Sequence, residues 1–283
     1  MKFALCNEVL QPLSFDEQCA LAAKLGYDGL EVAPFTLAED PMRITDAQAM
    51  QFERIAQDHG MRIFGLHWLL VAPAGLSIVS ADKAVRDRTV AVMLRLVELC
   101  ALMGGHYLVH GSPKQRSVQP GTSREAALER ARDCFAQVAV AARDRSLAYC
   151  IEPLAARETD LINTVAEAAA IVDAIASPGL KTMIDCSAAG QSEAQPVDSL
   201  MAQWMPTGHI AHVQVNDPNR RGPGQGEMRF APIMRALLQM QAMGHYEGIV
   251  AVEPFDYVPD GPGCAAHSIG YLKGIMEGLD GHG

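Results

Sequence analysis

The sequence predicts an α/β protein, a single-domain (β/α)8 TIM barrel spanning residues 1–283. Short apolar runs alternate with longer helical patterns eight times over, the signature of β–α units that place parallel strands inside a ring of helices. The length of 283 residues is ordinary for one such barrel. No GxGxxG follows the first strand, which disfavours the doubly wound sheet that is the runner-up arrangement.

KFALCN (2–7) reads as the first strand, and Ser14 with Glu17 three residues later forms a capping box for a helix over 14–25. LGYDG (25–29) is a glycine-rich helix exit leading into GLEVA (29–33). A helix over 46–59 precedes RIFGLH (62–67), one over 83–103 precedes HYLVH (106–110), and one over 122–145 precedes AYCIE (148–152). Helices over 162–176 and 197–204 flank KTMID (181–185), and IAHVQVN (210–216) is the seventh strand. A helix over 229–243 leads through MGHYEG into GIVAVE (248–253), and a last helix covers 265–279.

A net charge of −10 and a pI near 5.3 exclude the basic stripe that a nucleic-acid surface requires. MKFALCNEVL has no signal-peptide core, and no window approaches the roughly 18 apolar residues of a membrane span. The seven cysteines (6, 19, 100, 134, 150, 186, 264) contain no CxxC pair and lie mostly in apolar surroundings. They read as buried free thiols in a reducing compartment, so a cytoplasmic location is expected.

In a barrel the site is built from the C-terminal ends of the strands. Here those ends are His67, His110, Glu152, Asp185, the trio His212, Gln214 and Asn216, and Glu253. In the seventh strand, alternation puts the three polar residues on one face and Val213 and Val215 on the other. Small residues behind several ends (Gly65, Ala148, Cys150, Ala251) leave room at the mouth. Glu152 and Glu253 are each followed by Pro, which ends the ladder and turns the chain just past the carboxylate. With Asp185 they would concentrate negative charge where water is scarce, and a divalent cation neutralises it most simply.

The stretches LGYDGLEV, GLHW, LVHGS, IEPLAARET, MIDCS, HVQVNDPNRRGPGQG and GIVAVEPF resemble the xylose-isomerase-like TIM barrels along nearly the whole chain. This is the sugar isomerase/epimerase and AP-endonuclease-2 superfamily; the ketose 3-epimerases and hydroxypyruvate isomerases are the nearest members. The resemblance implies one divalent ion, Mn²⁺ foremost with Mg²⁺, Co²⁺ or Zn²⁺ as alternatives. Glu152, Asp185, Gln214 and Glu253 would hold it, the seventh-strand ligand falling two residues before Asn216–Asp217. It further implies proton transfer between Glu152 and Glu253 through a metal-stabilised enediolate, on a small sugar or hydroxy-ketone. His67, His110, Glu158, His212 and Arg220 would contact substrate, and His212, one step deeper, would also buttress Gln214. Dimers or tetramers are common in such families.

Two positions depart from the family pattern: Ala188 stands where many members have a His, and Ala155–Ala156–Arg157 replaces an Asn-Arg-Phe-like stretch. A keto-sugar or keto-cyclitol dehydratase with the same enolate chemistry is the alternative expectation. An AP-endonuclease-like metallophosphoesterase is disfavoured, because the ligands for three zinc ions are incomplete and the DxH after strand seven is missing.

Overall fold

A computed structural model describes residues 1–280, so the last three residues of the expected 1–283 domain lie outside the description. Eight strands form a closed barrel in chain order: β1 (Lys2–Cys6), β2 (Gly29–Val32), β3 (Arg62–Leu66), β4 (Tyr107–His110), β5 (Ala148–Ile151), β6 (Leu180–Asp185), β7 (Ile210–Val215) and β8 (Ile249–Val252). Every neighbouring pair is parallel, and β8 closes on β1. The helices are α1 (Phe15–Leu25), α2 (Asp46–Asp58), α3 (Lys83–Leu102), α4 (Arg124–Asp144), α5 (Val165–Ile175), α6 (Cys186–Ser192), α7 (Val197–Trp204), α8 (Phe230–Ala242) and α9 (Gly261–Asp280). Among the described residues, no helix is long and apolar enough to cross a membrane.

The helix start predicted at Ser14 is a true capping box: Ser14 Oγ accepts from Glu17 N at 3.4 Å, and the Glu17 carboxylate accepts from Ser14 N at 2.9 Å. Thr45 and Gln48 cap α2 in the same way. The short helix α6 was not expected; Asp185 starts it by accepting from Ala188 N at 2.6 Å.

Register decides which side chains enter the lumen. Cys6, Glu31, Gly65 and Tyr107 lie side by side across β1–β4, and Asp185 and Gln214 across β6–β7. Side chains at one height of a barrel share a face, so these all point inward. Gly65 is required there. A Cβ at this position would lie 2.4 Å from the Tyr107 ring, which crosses the lumen to stack on His212 with centroids 3.9 Å apart.

Candidate active site

Three carboxylates converge at the C-terminal mouth of the barrel. Glu152 follows β5, Asp185 ends β6 and Glu253 follows β8; all are buried, with one oxygen of each within 4.8 Å of the others. Asn216, just past β7, ties the group together: its Nδ2 donates to Asp185 Oδ2 (2.8 Å) and to the Glu253 carbonyl (3.0 Å). Its Oδ1 accepts from Ser187 N at 2.8 Å, linking the strand end to α6.

Burial pushes all three acids up: Glu152 well above the ordinary carboxylate range with Glu253 and Asp185 adding repulsion, Asp185 to about 7 with Glu158 adding to it, and Glu253 to about 8 with Asp185 and Glu31 adding to it. Such a set binds a cation readily because a cation removes both penalties. Two buried acceptors, Glu253 Oε2 within the set and Gln214 Oε1 beside it, have no hydrogen-bond partner among the described residues. Buried polar atoms are rarely left so, and unpaired oxygens next to three carboxylates suit a hard divalent ion. The residues present therefore fit the ion expected from the sequence.

A second buried group, Cys6, Glu8, His67 and Glu253, also has metal-ligating atoms within 4.8 Å of one another. At its centre is His67, which takes both carboxyl partners at once. His67 Nε2 lies 2.9 Å from Glu8 Oε2 and Nδ1 2.8 Å from Glu253 Oε1. Burial opposes a charge on the ring, yet the carboxyl groups of Glu8 and Glu253 at its two nitrogens raise the imidazole well above its usual range. His67 thus orients Glu253 and leaves its Oε2 free.

Beneath Gln214 sits a network that the strand-end reading missed. Glu31, fully buried on β2, accepts from Gln214 Nε2 at 2.6 Å and from the Tyr107 hydroxyl at 2.8 Å. His212 Nε2 is 2.8 Å from Glu31 Oε2, close but out of line for a hydrogen bond. Burial resists ionisation of Glu31, yet His212, His67 and Tyr107 together hold it down to about 2. The signal was present in GLEVA, a Glu at the inward parity of an otherwise apolar strand. Glu8 lies just past β1, on the 3-10 turn Asn7–Leu10, where strand parity carries no signal.

His110 corrects the sequence reading. It occupies the outward parity of β4, where Nδ1 meets the Tyr149 hydroxyl at 2.8 Å and the ring packs edge-on against Phe135 of α4. It stands in the layer between sheet and helix, not among the groups facing a substrate. Tyr107 and Val109 hold the inward positions instead, and burial followed by Arg116 lowers the His110 imidazole to about 3. Arg116, on the loop after β4, is 0 % exposed and its side-chain nitrogens find no acceptor among the described residues. Burial lowers it to about 10, opposed by Glu152 and Glu158.

The mouth is lined by Glu152, Asp185, Glu158, Ser187, Ala188 and Arg220, among others. Glu158 and Arg220 thus stand together at the rim, while His212 lies deeper, fully buried. The Arg220 guanidinium sits over the Phe255 ring at 5.4 Å, and its carbonyl accepts from Phe255 N and Asp256 N, both at 2.8 Å. Phe255 stacks on Trp68, and Trp68 meets Phe35 at a tilt with centroids 5.8 Å apart, giving the rim an aromatic wall.

A family model described as "Xylose isomerase-like TIM barrel" matches residues 19–275. D-psicose 3-epimerase from Agrobacterium fabrum is 28% identical over 82% of this chain and 76% of its own length. A probable ketose 3-epimerase from Synechocystis is 25% identical over 83% and 77%. A crystal structure of D-psicose 3-epimerase in the presence of D-fructose superposes with a TM-score of 0.81 at 21% identity, covering 98% of this chain and 99% of that one. The 3-keto-D-glucoside 4-epimerase of E. coli gives 0.81 at 18% identity, over 96% and 99%.

Proposed function

The chain belongs to the xylose isomerase-like TIM barrels, and on that footing we propose that it is a divalent-metal-dependent epimerase or isomerase of a small ketose. The observation that carries this reading is the buried carboxylate trio beside the unpartnered Gln214 Oε1. Glu152, Asp185, Gln214 and Glu253 would hold the ion, with Mn²⁺ the preferred occupant. When bound, it supplies Lewis acidity that stabilises negative charge developing on substrate oxygens.

The protein's own groups then move the proton. β5 and β8 stand three strands apart around the closed sheet, so Glu152 and Glu253 approach a ligand in the mouth from different sides. One carboxylate takes the proton from the carbon next to the carbonyl, giving an enediolate. The other, as the acid, delivers a proton to the opposite face, which inverts that carbon. His67 donates to Glu253 Oε1 and so aims Oε2, the unpartnered oxygen, as the working atom. Glu158 and Arg220 would bind substrate hydroxyls at the rim they line, and the stacked Trp68 and Phe255 would cover the apolar side of the sugar. The ketose 3-epimerase names among the relatives support this chemistry.

The experiment is turnover in D2O with Mn²⁺ and a panel of ketopentoses and ketohexoses. An accepted substrate should yield its epimer with one deuterium at the inverted carbon; an epimer formed without label sinks the proposal. Gly111→Ala provides a local check, because a Cβ at Gly111 would lie 1.6 Å from Glu152 Oε2 and force that carboxylate to move. Displacing a reacting group by about 1 Å costs on the order of 10²-fold in kcat/KM; activity within about threefold of wild type would show that the position of Glu152 is not critical.

A further inference from the structure

We infer that Glu31 is the positioning residue of the site: it fixes the Gln214 amide so that the carbonyl oxygen, and not the NH2 group, faces the carboxylate trio. This rests on the metal reading above. Gln214 is an ambiguous side chain, with a donor and an acceptor at one end related by a half-turn about the last bond. Only the acceptor can ligate a cation.

The structure resolves the ambiguity from below. Gln214 Nε2 is 2.6 Å from Glu31 Oε1, a short charge-assisted contact that the flipped amide would replace by two facing oxygens. The half-turn that commits Nε2 to Glu31 leaves Gln214 Oε1 on the other side, buried and without a partner. That side is the mouth, because Gln214 is in register with Asp185 and with Ala251, two residues before Glu253.

Glu31 is itself held from several directions. Its Oε2 accepts from Tyr107 at 2.8 Å and lies 2.8 Å from His212 Nε2, while Tyr107 and His212 stack on one another. Glu31 is 0 % exposed, so its contacts are all made inside the barrel. The chain of contact runs from β4 through β2 to β7, and its endpoint is the one neutral ligand of the set. Nothing in it touches substrate.

The test reads Mn²⁺ affinity of the metal-free protein by calorimetry or by the electron-spin signal of free Mn²⁺, without turnover. Outer partners of metal ligands typically change affinity by about 10–100-fold, and Glu31→Leu is expected to weaken Mn²⁺ binding within that range. Glu31→Gln, which keeps an acceptor oxygen, should stay within about fivefold of wild type by the same reasoning. In a Gln214→Leu background, Glu31→Leu should cost nothing further, since the two residues act through one contact. Should Glu31→Leu fail to fold, Glu31→Asp serves instead: it keeps the charge but withdraws the acceptor, and is expected to weaken binding about tenfold.

Unchanged affinity in Glu31→Leu or Glu31→Asp, with Gln214→Leu weakened, overturns this inference alone. An equal loss on adding Glu31→Leu to Gln214→Leu also overturns it, because the effect would then be a general loosening of the barrel. Wild-type affinity in Gln214→Leu, or no Mn²⁺ binding by the wild type, removes the metal reading and this inference together.

Discussion

Glu152→Gln is expected to lower kcat for ketose epimerisation by about 10²–10⁴-fold, the usual worth of a positioned acid or base. The substitution is isosteric, and Glu152 is buried against Gly111 without any hydrogen bond that the barrel depends on among the described residues, so the fold should be kept. The informative readout is exchange as well as inversion. With Glu253 intact, one epimer should still lose its proton to D2O from the face Glu253 serves, while inversion stops. Glu253→Gln should show the mirror result with the other epimer, and should additionally disturb His67, which bonds Glu253 at 2.8 Å. Full inversion by Glu152→Gln would show that the two glutamates do not share the proton transfer.

Removing divalent metal is expected to have an equally large effect. Dialysis against a chelator should bring activity below about 1% and Mn²⁺ should restore it, since the charge developing on substrate oxygens would otherwise face three carboxylates. Stability gives an independent check. An ion at about 100 times its Kd adds about 2.7 kcal/mol, which is about 5–10 °C in Tm for a domain near this size. The metal-free protein should also lose stability as pH rises. Asp185 and Glu253 have folded values of about 7 and 8, above their unfolded ones, so the folded state binds more protons and its advantage drains away between roughly pH 4 and 8. Saturating Mn²⁺ should flatten that slope. A chelated protein with full activity, or with the same Tm as the loaded one at pH 8, would rule out an ion at the trio.

Much of this was legible in the sequence because the barrel repeats one physical pattern. Each strand is a short apolar run bounded by turn chemistry, and the two Glu-Pro ends and the His67 end mark the mouth. The strands nevertheless stop at Leu66, Ile151 and Val252, one residue before His67, Glu152 and Glu253, because the site residues have already left the ladder. Helix α6 escaped notice because Cys186–Ser192 has no apolar stripe; a side-chain cap from Asp185 and packing create it. The β4 parity was misassigned because HYLVH offers His or Tyr on either face, and only pairing with β3 and β5 settles that Tyr107 enters and His110 leaves. Arg116 sits in a Gly-Ser-Pro-Lys loop that reads as solvated surface, and tertiary folding alone buries it.

The ring of Tyr107 lying across the lumen against His212, with Glu31 beneath the same hydroxyl, has a consequence for traffic. It fills the lumen below Gln214, so among the described residues a ligand meets the carboxylates from the side of the mouth that Glu158 and Arg220 line. Sugar must leave by the path it entered, and the two epimers compete for one threshold. Product release therefore has to clear the same rim that substrate binding uses, and a change at Arg220 or Glu158 is felt by both.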